Sequence, residues 1–330
     1  EDIFLGNYFE INQITNDVSF TKNEEINNIK IKSFLTILNQ TLNNENKKKL
    51  LKNIDYENDL DKLIKNIIIE DELIRSNNYK AKVKVNIEKK ELVQLYRNNK
   101  INYTDIPSKP FLIISVYNDK FDSYGLSIKN KFYNYNEIEL RKKNNNLLKI
   151  ILPELNVNDR YILPYFKINN HNFKAFDKIL NKYEIENLFL LNIKKITENK
   201  YNLSINVYKI NSNQITNISN VSIDNFLETH NKFFFNINEW WKKENLIDNN
   251  ILNTIDCNII SSDYSDLIDI KNKLTNISQI KSITLKSITY NNNIEQIKYY
   301  GDYNIFLKTL FYHKIYLNND NGCFLKSIKK

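Results

Sequence analysis

Side chains that commonly carry out chemistry are few in this chain of 330 residues, which has three histidines, two cysteines and four glycines. His171, His230 and His313 lie far apart and form no closely spaced pair of the kind that binds a metal. His230 falls on the apolar side of a predicted helix, where a histidine buried in the core is the ordinary explanation. The sequence therefore predicts no catalytic residue, metal site or cofactor.

Three aspartates at positions 263, 266 and 269 form a series of carboxylates spaced three residues apart. Such a series could bind a cation. However, Asp263, Asp266 and Asp269 stand at the start of a predicted helix, where negative side chains complement the positive end of the helix dipole. We therefore expect them to stabilise the helix start.

The two cysteines, Cys257 and Cys323, allow a single disulfide, which an oxidising compartment would permit. Sequence alone does not give the distance between them. We expect buried free thiols on two strands, with the disulfide as the alternative.

Aromatic residues suggest two binding surfaces. The stretch from Lys129 to Tyr135, continuing through residues 141–143, interleaves basic and aromatic side chains, as single-stranded nucleic-acid binding would require. No RNA-binding or zinc-knuckle motif accompanies it, so a solvated loop is expected.

Trp240 and Trp241 are the only tryptophans, and adjacent helix positions face different directions. We expect one ring to cover the core and the other to be an exposed partner-binding side chain.

Charge and composition leave two interpretations open. Lys and Arg outnumber Asp and Glu by 47 to 39, which gives a net charge of +8. A basic protein can bind nucleic acid or an anionic membrane. Lys, Asn, Ile and Tyr are abundant whereas Gly, Pro and Trp are scarce, which is typical of an AT-rich genome and favours a compositional origin of the charge. No apolar run approaches the roughly 20 residues that cross a bilayer.

The chain contains no methionine and begins with Glu1 and Asp2. Removal of a secretory signal peptide produces such a start. We interpret the chain as a mature exported protein and expect it in the periplasm.

Hydrophobic periodicity predicts an α+β protein of three modules. Residues 1–106 should form an α+β domain: a helix opened by a capping box at Thr21 and Glu24, a second helix with Ile64 and Ile67 inward, an alternating strand from Tyr79, and a helix over 88–98. A linker containing Pro107 and Pro110 follows.

Residues 107–250 alternate strands and helices, with strands expected at 111–114, 147–152, 188–196 and 201–208 and helices at 173–183 and around residues 227–241. Residues 251–330 read as strands and helices in the order βαββα, followed by a hairpin across Asn321 and Gly322. This order predicts a ferredoxin-like βαββαβ domain.

A set of mostly apolar and aromatic positions spread over almost the whole chain carries a resemblance. They are Glu72, Tyr79, Ala81, Val83, Val85, Ile101–Tyr103, Phe111, Leu152–Pro153, Trp241–Lys242, Tyr300–Gly301, Leu307, Leu310 and Leu317. At these positions the chain resembles a family of uncharacterised envelope proteins of proteobacteria, especially alphaproteobacteria, and its middle part is similar to the amino-terminal domain of the periplasmic protein TolB. The resemblance implies a TolB-like central domain over 107–250 and brings no established catalytic residues.

These observations predict a non-enzymatic periplasmic adaptor or scaffold of the cell envelope that acts by protein-protein interaction. Its expected partner is an envelope or inner-membrane-associated protein. The alternative is a basic protein that binds nucleic acid or another anionic polymer, and steep loss of binding with salt would identify it. An enzyme is the third possibility and would need convergent carboxylates in a cleft.

Overall fold

The computed structural model describes residues 4–54, 56–75, 77–134, 138, 147–289, 293–318 and 322–328. Helices and several β-sheets confirm the mixed α+β class. The chain divides into two compact units. The two-segment unit combines Glu1–Ile106 with Asn245–Lys330, and the middle unit is Pro107–Glu244. Among the described residues, no helix is long and apolar enough to span a membrane.

The N-terminal segment places helices beside a three-stranded antiparallel sheet of order β1-β3-β2. Alternation on β3 is confirmed, because Tyr79 and Val83 are buried whereas Lys80 and Lys82 are exposed. The elements are β1 (Tyr8–Ile14), α1 (Val18–Thr41), α2 (Asn44–Leu51), α3 (Tyr56–Leu63), β2 (Ile64–Arg75), β3 (Asn78–Ile87) and α4 (Lys89–Asn98).

Two predictions in this segment are wrong. Helix α1 starts at Val18, because the Asp17 carboxylate accepts the backbone N–H of Phe20 at 2.9 Å and caps the helix before the Thr21 box. Ile64 and Ile67 belong to strand β2 and not to a helix, since this isoleucine-rich stretch pairs with β3.

The middle unit has a mixed sheet of order β5-β4-β7-β8-β9, with β6 paired to β4. Strands β4 and β7 run parallel, and β7, β8 and β9 are antiparallel. The predicted strand at 147–152 is reduced to two residues, and β9 was not predicted. The elements are β4 (Phe111–Asn118), β5 (Ser123–Tyr124), β6 (Ile150–Ile151), α5 (Val157–Ile162), α6 (Tyr165–Asn169), α7 (Phe173–Lys182), β7 (Asn187–Lys195), β8 (Tyr201–Lys209), β9 (Ile215–Ile223) and α8 (Glu228–Glu244).

One continuous hydrophobic core fills the middle unit. Strand β4 is buried on both faces from Phe111 to Tyr117, so helices and loops cover both sides of the sheet at this strand. The rings of Phe111 and Phe189 stack with their centroids 4.4 Å apart, and Phe233 of α8 meets Phe189 edge-on at 6.2 Å. These contacts fix α8 against the sheet.

The C-terminal segment has the predicted element order, but its sheet order is β11-β12-β10-β14-β13. The hairpin strand β14 lies next to β10 and runs parallel to it, while β13 occupies the edge. The elements are β10 (Leu252–Ile259), α9 (Tyr264–Thr275), β11 (Ile280–Ile288), β12 (Asn293–Tyr300), α10 (Tyr303–Tyr312), β13 (Ile315–Asn318) and β14 (Cys323–Ser327).

The parallel pairing of β10 and β14 brings the two cysteines together. Cys257 and Cys323 are register partners, their Cα atoms are 4.5 Å apart, and they form a disulfide. The expectation of free thiols is therefore wrong. The disulfide depends on the hairpin strand β14 inserting beside β10. The residues next to each cysteine in the sequence do not indicate this strand pairing.

Polar groups join the two segments of the two-segment unit. Tyr103 and Ile247 form an antiparallel bridge, in which each backbone N–H donates to the other residue's carbonyl oxygen. The Asn249 amide donates to the carbonyl of Ile101 at 2.6 Å. The Arg97 guanidinium lies 4.4 Å from the centroid of the Tyr300 ring. Both ends of the chain therefore contribute to one folded body.

Candidate binding surface

His230 and Asp263 have structural partners. His230 is buried, its Nε2 lies 2.8 Å from the carbonyl oxygen of Phe132, and its ring stacks on that phenylalanine, which confirms a core role. Asp263 caps α9 by accepting the N–H of Asp266 at 2.8 Å, which confirms its role at the helix start. The described part of the chain contains no group of three or more His, Cys, Asp or Glu residues able to bind a metal.

The tryptophan pair does not divide into one buried and one exposed ring. Trp240 and Trp241 are both half-buried near the end of α8. Each ring meets Phe111 edge-on, with centroid distances of 6.1 and 6.0 Å, and both pack on the core. The expectation of an outward-facing ring is wrong, because both rings pack against Phe111. A partner-binding role for either residue stays a prediction.

The basic and aromatic stretch is only partly described. Phe132 and Tyr133 are buried, and the Tyr133 hydroxyl accepts the backbone N–H of Ser115 at 2.8 Å. These two rings therefore pack in the core and are not available for stacking on bases. Tyr135 and residues 141–143 lie outside the described residues.

A change from aromatic to polar side chains on one face of the middle sheet produces a groove. Helix α7 packs Phe173 on Tyr208 of β8, with the rings stacked at 5.6 Å. Burial and a hydrogen bond to Asp177 raise the pKa of Tyr208, which therefore stays protonated. Alternate residues of β8 share a face, so polar side chains continue this face toward the start of the strand. They are Asn206, Ser204 and Asn202.

Polar side chains from four strands and helix α6 line a groove of about 650 Å³, which we call the amide groove. Its volume lies within the roughly 300–1,000 Å³ typical of ligand sites. Register places the side chains beside one another, because Lys194 of β7 pairs with Asn202 of β8, which pairs with Ser222 of β9. The side chains that define the groove are Asn118, Tyr165, Asn169, Asn192, Lys194, Asn202, Ser204, Asn220 and Ser222.

Internal hydrogen bonds hold one side of the groove. The Tyr165 hydroxyl donates to Oδ1 of Asn118 at 2.6 Å, and Nδ2 of Asn118 donates to Oδ1 of Asn192 at 3.0 Å. Asn202 and Ser222, by contrast, make no side-chain hydrogen bond within the described part of the chain. The groove thus combines amides fixed by neighbours with polar groups available to a ligand.

A smaller pocket of about 170 Å³ adjoins the groove and shares Asn169, Asn192 and Ser204 with it. Its apolar lining comes from Val116, Ile168 and Leu190. His171 stands at its rim with a φ of +50°, a left-handed conformation that histidine adopts more readily than most residues. Polar and apolar contacts are therefore available side by side.

Strand β9 forms one edge of the same sheet, and in the described structure it pairs only with β8. Its nine residues, ITNISNVSI, include no charged residue, glycine or proline. Two other edge strands carry charges as well as register shifts: β11 carries Lys281 and Lys286, and β2 carries Glu70–Glu72. Strand β9 has one register shift, between the partners of Ile205 and Asn206, but no charge. Charges and bulges protect edges from pairing with other chains.

The chemistry of this surface is hydrogen bonding. Amides and hydroxyls both donate and accept, and they keep one protonation state near neutral pH. Lys194 is the one charged side chain among the groove residues, and no carboxylate contacts it within the described chain. The arrangement is suited to binding a polar ligand and, at the β9 edge, a peptide strand. No protein-family model matches this chain, and no curated protein matches it.

Proposed function

We propose that this chain is a non-enzymatic adaptor or scaffold of the bacterial cell envelope that acts by protein-protein interaction. The observation that carries the proposal is the uncharged edge of β9, where the backbone donors and acceptors that face away from β8 are available to a further strand on either side of one register shift. An extended segment of a partner protein can add to such an edge through main-chain hydrogen bonds. The partner in this proposal is an envelope or inner-membrane-associated protein.

The proposed compartment is the periplasm. The Cys257–Cys323 disulfide supports this placement, because disulfides persist in oxidising compartments and are rare in the bacterial cytoplasm. Cell fractionation, combined with thiol labelling before and after reduction, tests it. Thiols that react without reduction in protein from a cytoplasmic fraction would contradict the placement.

The proposed architecture keeps the three modules: an N-terminal α+β domain over 1–106, a TolB-N-like domain over 107–250 and a ferredoxin-like domain over 251–330. The element order of the last module supports it, since two helices separate the strands as in a βαββαβ fold. In this proposal β13 is the last strand of the βαββαβ order, and β14 is an addition that takes the position beside β10.

Substitution of Thr216 tests strand addition. Thr216 is an exposed residue of β9 that pairs with Val207 and does not line the amide groove. We expect Thr216→Lys to reduce recovery of cross-linked envelope partners at least tenfold, because a charge on an edge strand opposes pairing with another strand. Thr216→Val, which keeps a β-branched uncharged side chain, is the matched control.

The measurement is mass spectrometry of proteins captured by the tagged full-length chain from cross-linked envelopes. Equal recovery by Thr216→Lys and the native protein would contradict docking at β9. Capture of nucleic acid with a steep salt dependence would instead favour the basic anionic-polymer binder.

A further inference from the structure

We propose that the amide groove binds a saccharide chain that contains N-acetylated sugars. This inference goes beyond the proposed adaptor function and concerns a different surface from the β9 edge. Sugar hydroxyls both donate and accept hydrogen bonds, and so do the side chains of Asn202, Ser204, Asn220 and Ser222. The groove therefore matches the alternating donors and acceptors of a saccharide without requiring charge.

The charge of the groove distinguishes this ligand from an anionic polymer. One lysine, Lys194, stands among eight uncharged groove side chains, although the chain as a whole has 47 basic residues. A surface that tracks phosphates carries several cations along the path of the backbone. A single ammonium group instead suits a neutral or weakly anionic ligand.

Composition alone does not account for the site. Asparagine occupies 59 of 330 positions, so exposed amides occur across the molecule. At this groove, however, amides and hydroxyls from four neighbouring strands line one concave surface. The chain of hydrogen bonds from Tyr165 through Asn118 to Asn192 also fixes part of the surface in advance. Such preorganisation lowers the entropic cost of binding.

The adjoining pocket supplies the preference for acetylated sugars. An N-acetyl group has an amide, which needs hydrogen-bonding partners, and a methyl group, which needs apolar contact. The 170 Å³ pocket offers Asn192 and Ser204 where it meets the groove and Val116, Ile168 and Leu190 in its lining. The acetyl groups of a bound chain can therefore enter this pocket while the ring hydroxyls contact the groove.

Calorimetric titration of the full-length protein with two soluble hexasaccharides tests the proposal. The probes are a β-1,4-linked N-acetylglucosamine hexamer and the glucose hexamer of the same linkage, which lacks acetyl groups. We expect the acetylated hexamer to bind at least fivefold more tightly. No binding of either hexamer at millimolar concentration, or tighter binding of the glucose hexamer, would overturn the proposal.

The groove variant is Asn202→Ala combined with Ser222→Ala, because neither side chain makes a hydrogen bond within the described chain and the fold should be retained. We expect it to weaken binding of the acetylated hexamer at least tenfold. Asn12→Ala, which removes an exposed asparagine from β1, is the matched control and should bind as the native protein does. Unchanged affinity of the groove variant would place saccharide binding elsewhere and overturn the assignment.

Two further outcomes separate this proposal from the adaptor function. Partner capture that is lost in Thr216→Lys while saccharide affinity is retained supports two independent surfaces. Binding of a dT20 oligonucleotide that falls with salt and is lost in Lys194→Gln, without saccharide binding, would overturn the saccharide proposal and leave the test of the β9 edge unaffected.

Discussion

The middle unit is one stretch of chain folded around one core, whereas the two-segment unit joins parts from both ends of the chain. The middle unit relies on aromatic packing and on a buried carboxylate, Asp159. The two-segment unit adds a disulfide and polar contacts between its segments, such as those of Arg97. Both units thus use directional polar contacts, but only the unit assembled from two distant segments also has a covalent link among the described residues.

Loss of the disulfide should cause the largest loss of stability, and this loss should be confined to the two-segment unit. Cys257 and Cys323 are separated by 66 positions. A disulfide that closes a loop of this length restricts the unfolded chain and so stabilises the folded state by about 4 kcal/mol. We expect Cys257→Ala with Cys323→Ala to lower the free energy of unfolding by this amount. Hydrogen exchange followed by mass spectrometry measures each unit separately, and faster exchange in residues 107–244 would contradict the comparison.

Removal of the Asp159 carboxylate should have the next largest effect, confined to the middle unit. Its fully buried side chain lies 2.6 Å from Nζ of Lys182 and accepts the hydroxyl of Tyr183 at 2.8 Å. The carboxylates of Asp159 and Glu154 raise the pKa of Lys182. We expect Asp159→Ala to cost about 3 kcal/mol, because the groups that contact the carboxylate lose their partner.

Glu154→Ala is the matched control for this carboxylate, since Glu154 contacts the same lysine at 3.2 Å from an exposed position. Exposed ion pairs contribute less than about 1 kcal/mol. Denaturant unfolding of the two variants gives the comparison. Equal losses of unfolding free energy in the two variants would show that burial does not determine how much Asp159 contributes to stability.

Substitution of Arg97 should have a smaller effect, on the junction of the two segments. Its guanidinium lies over the Tyr300 ring and donates to the carbonyl oxygen of Ser278. We expect Arg97→Ala to cost about 2 kcal/mol, from the cation–π contact and the charged hydrogen bond together. Arg75→Ala, at an exposed position on β2, should change stability by less than about 0.5 kcal/mol. A similar loss in both variants would contradict a specific role at the junction.

Acidification should give the smallest loss of stability, and this loss should again be confined to the two-segment unit. Burial, and secondarily the charge of Lys89, lowers the pKa of His313 from 6.5, while Asp105 opposes the shift. The unfolded chain therefore binds more protons than the folded chain just below pH 6.5, and stability falls as the pH drops through this range. We expect His313→Gln to flatten the dependence of stability on pH between about pH 7.5 and 5.5. Thermal unfolding across this range measures it, and an unchanged slope would contradict the prediction.

Local patterns predicted much of the fold. The alternation in β3, the helix after Glu88 and the element order of the C-terminal segment all follow from periodicity and turn residues within a few positions. Ile64 and Ile67 were assigned to a helix because a short apolar run fits either period. Strand β9 was not predicted because Asn217 and Asn220 interrupt its apolar residues, and asparagine is unfavourable in strands.

The amide groove had no signal in the sequence that could be separated from composition. Its residues come from four strands and a helix, and only the alternation of Asn202, Ser204 and Asn206 lies within one element. Pairing of β7, β8 and β9 brings the rest together. The disulfide depends in the same way on contacts between residues far apart in sequence.

The bridge between Tyr103 and Ile247 has a consequence for how the protein folds. The backbone N–H of Ile247 donates to the carbonyl oxygen of Tyr103 at 2.7 Å, so the chain leaves the two-segment unit and re-enters it at neighbouring points. If residues 107–244 fold first, they replace an unfolded loop of roughly 140 residues that would otherwise have to close, and the entropic cost of closure falls. Early folding of the central stretch would thus accelerate assembly of the two termini into one body.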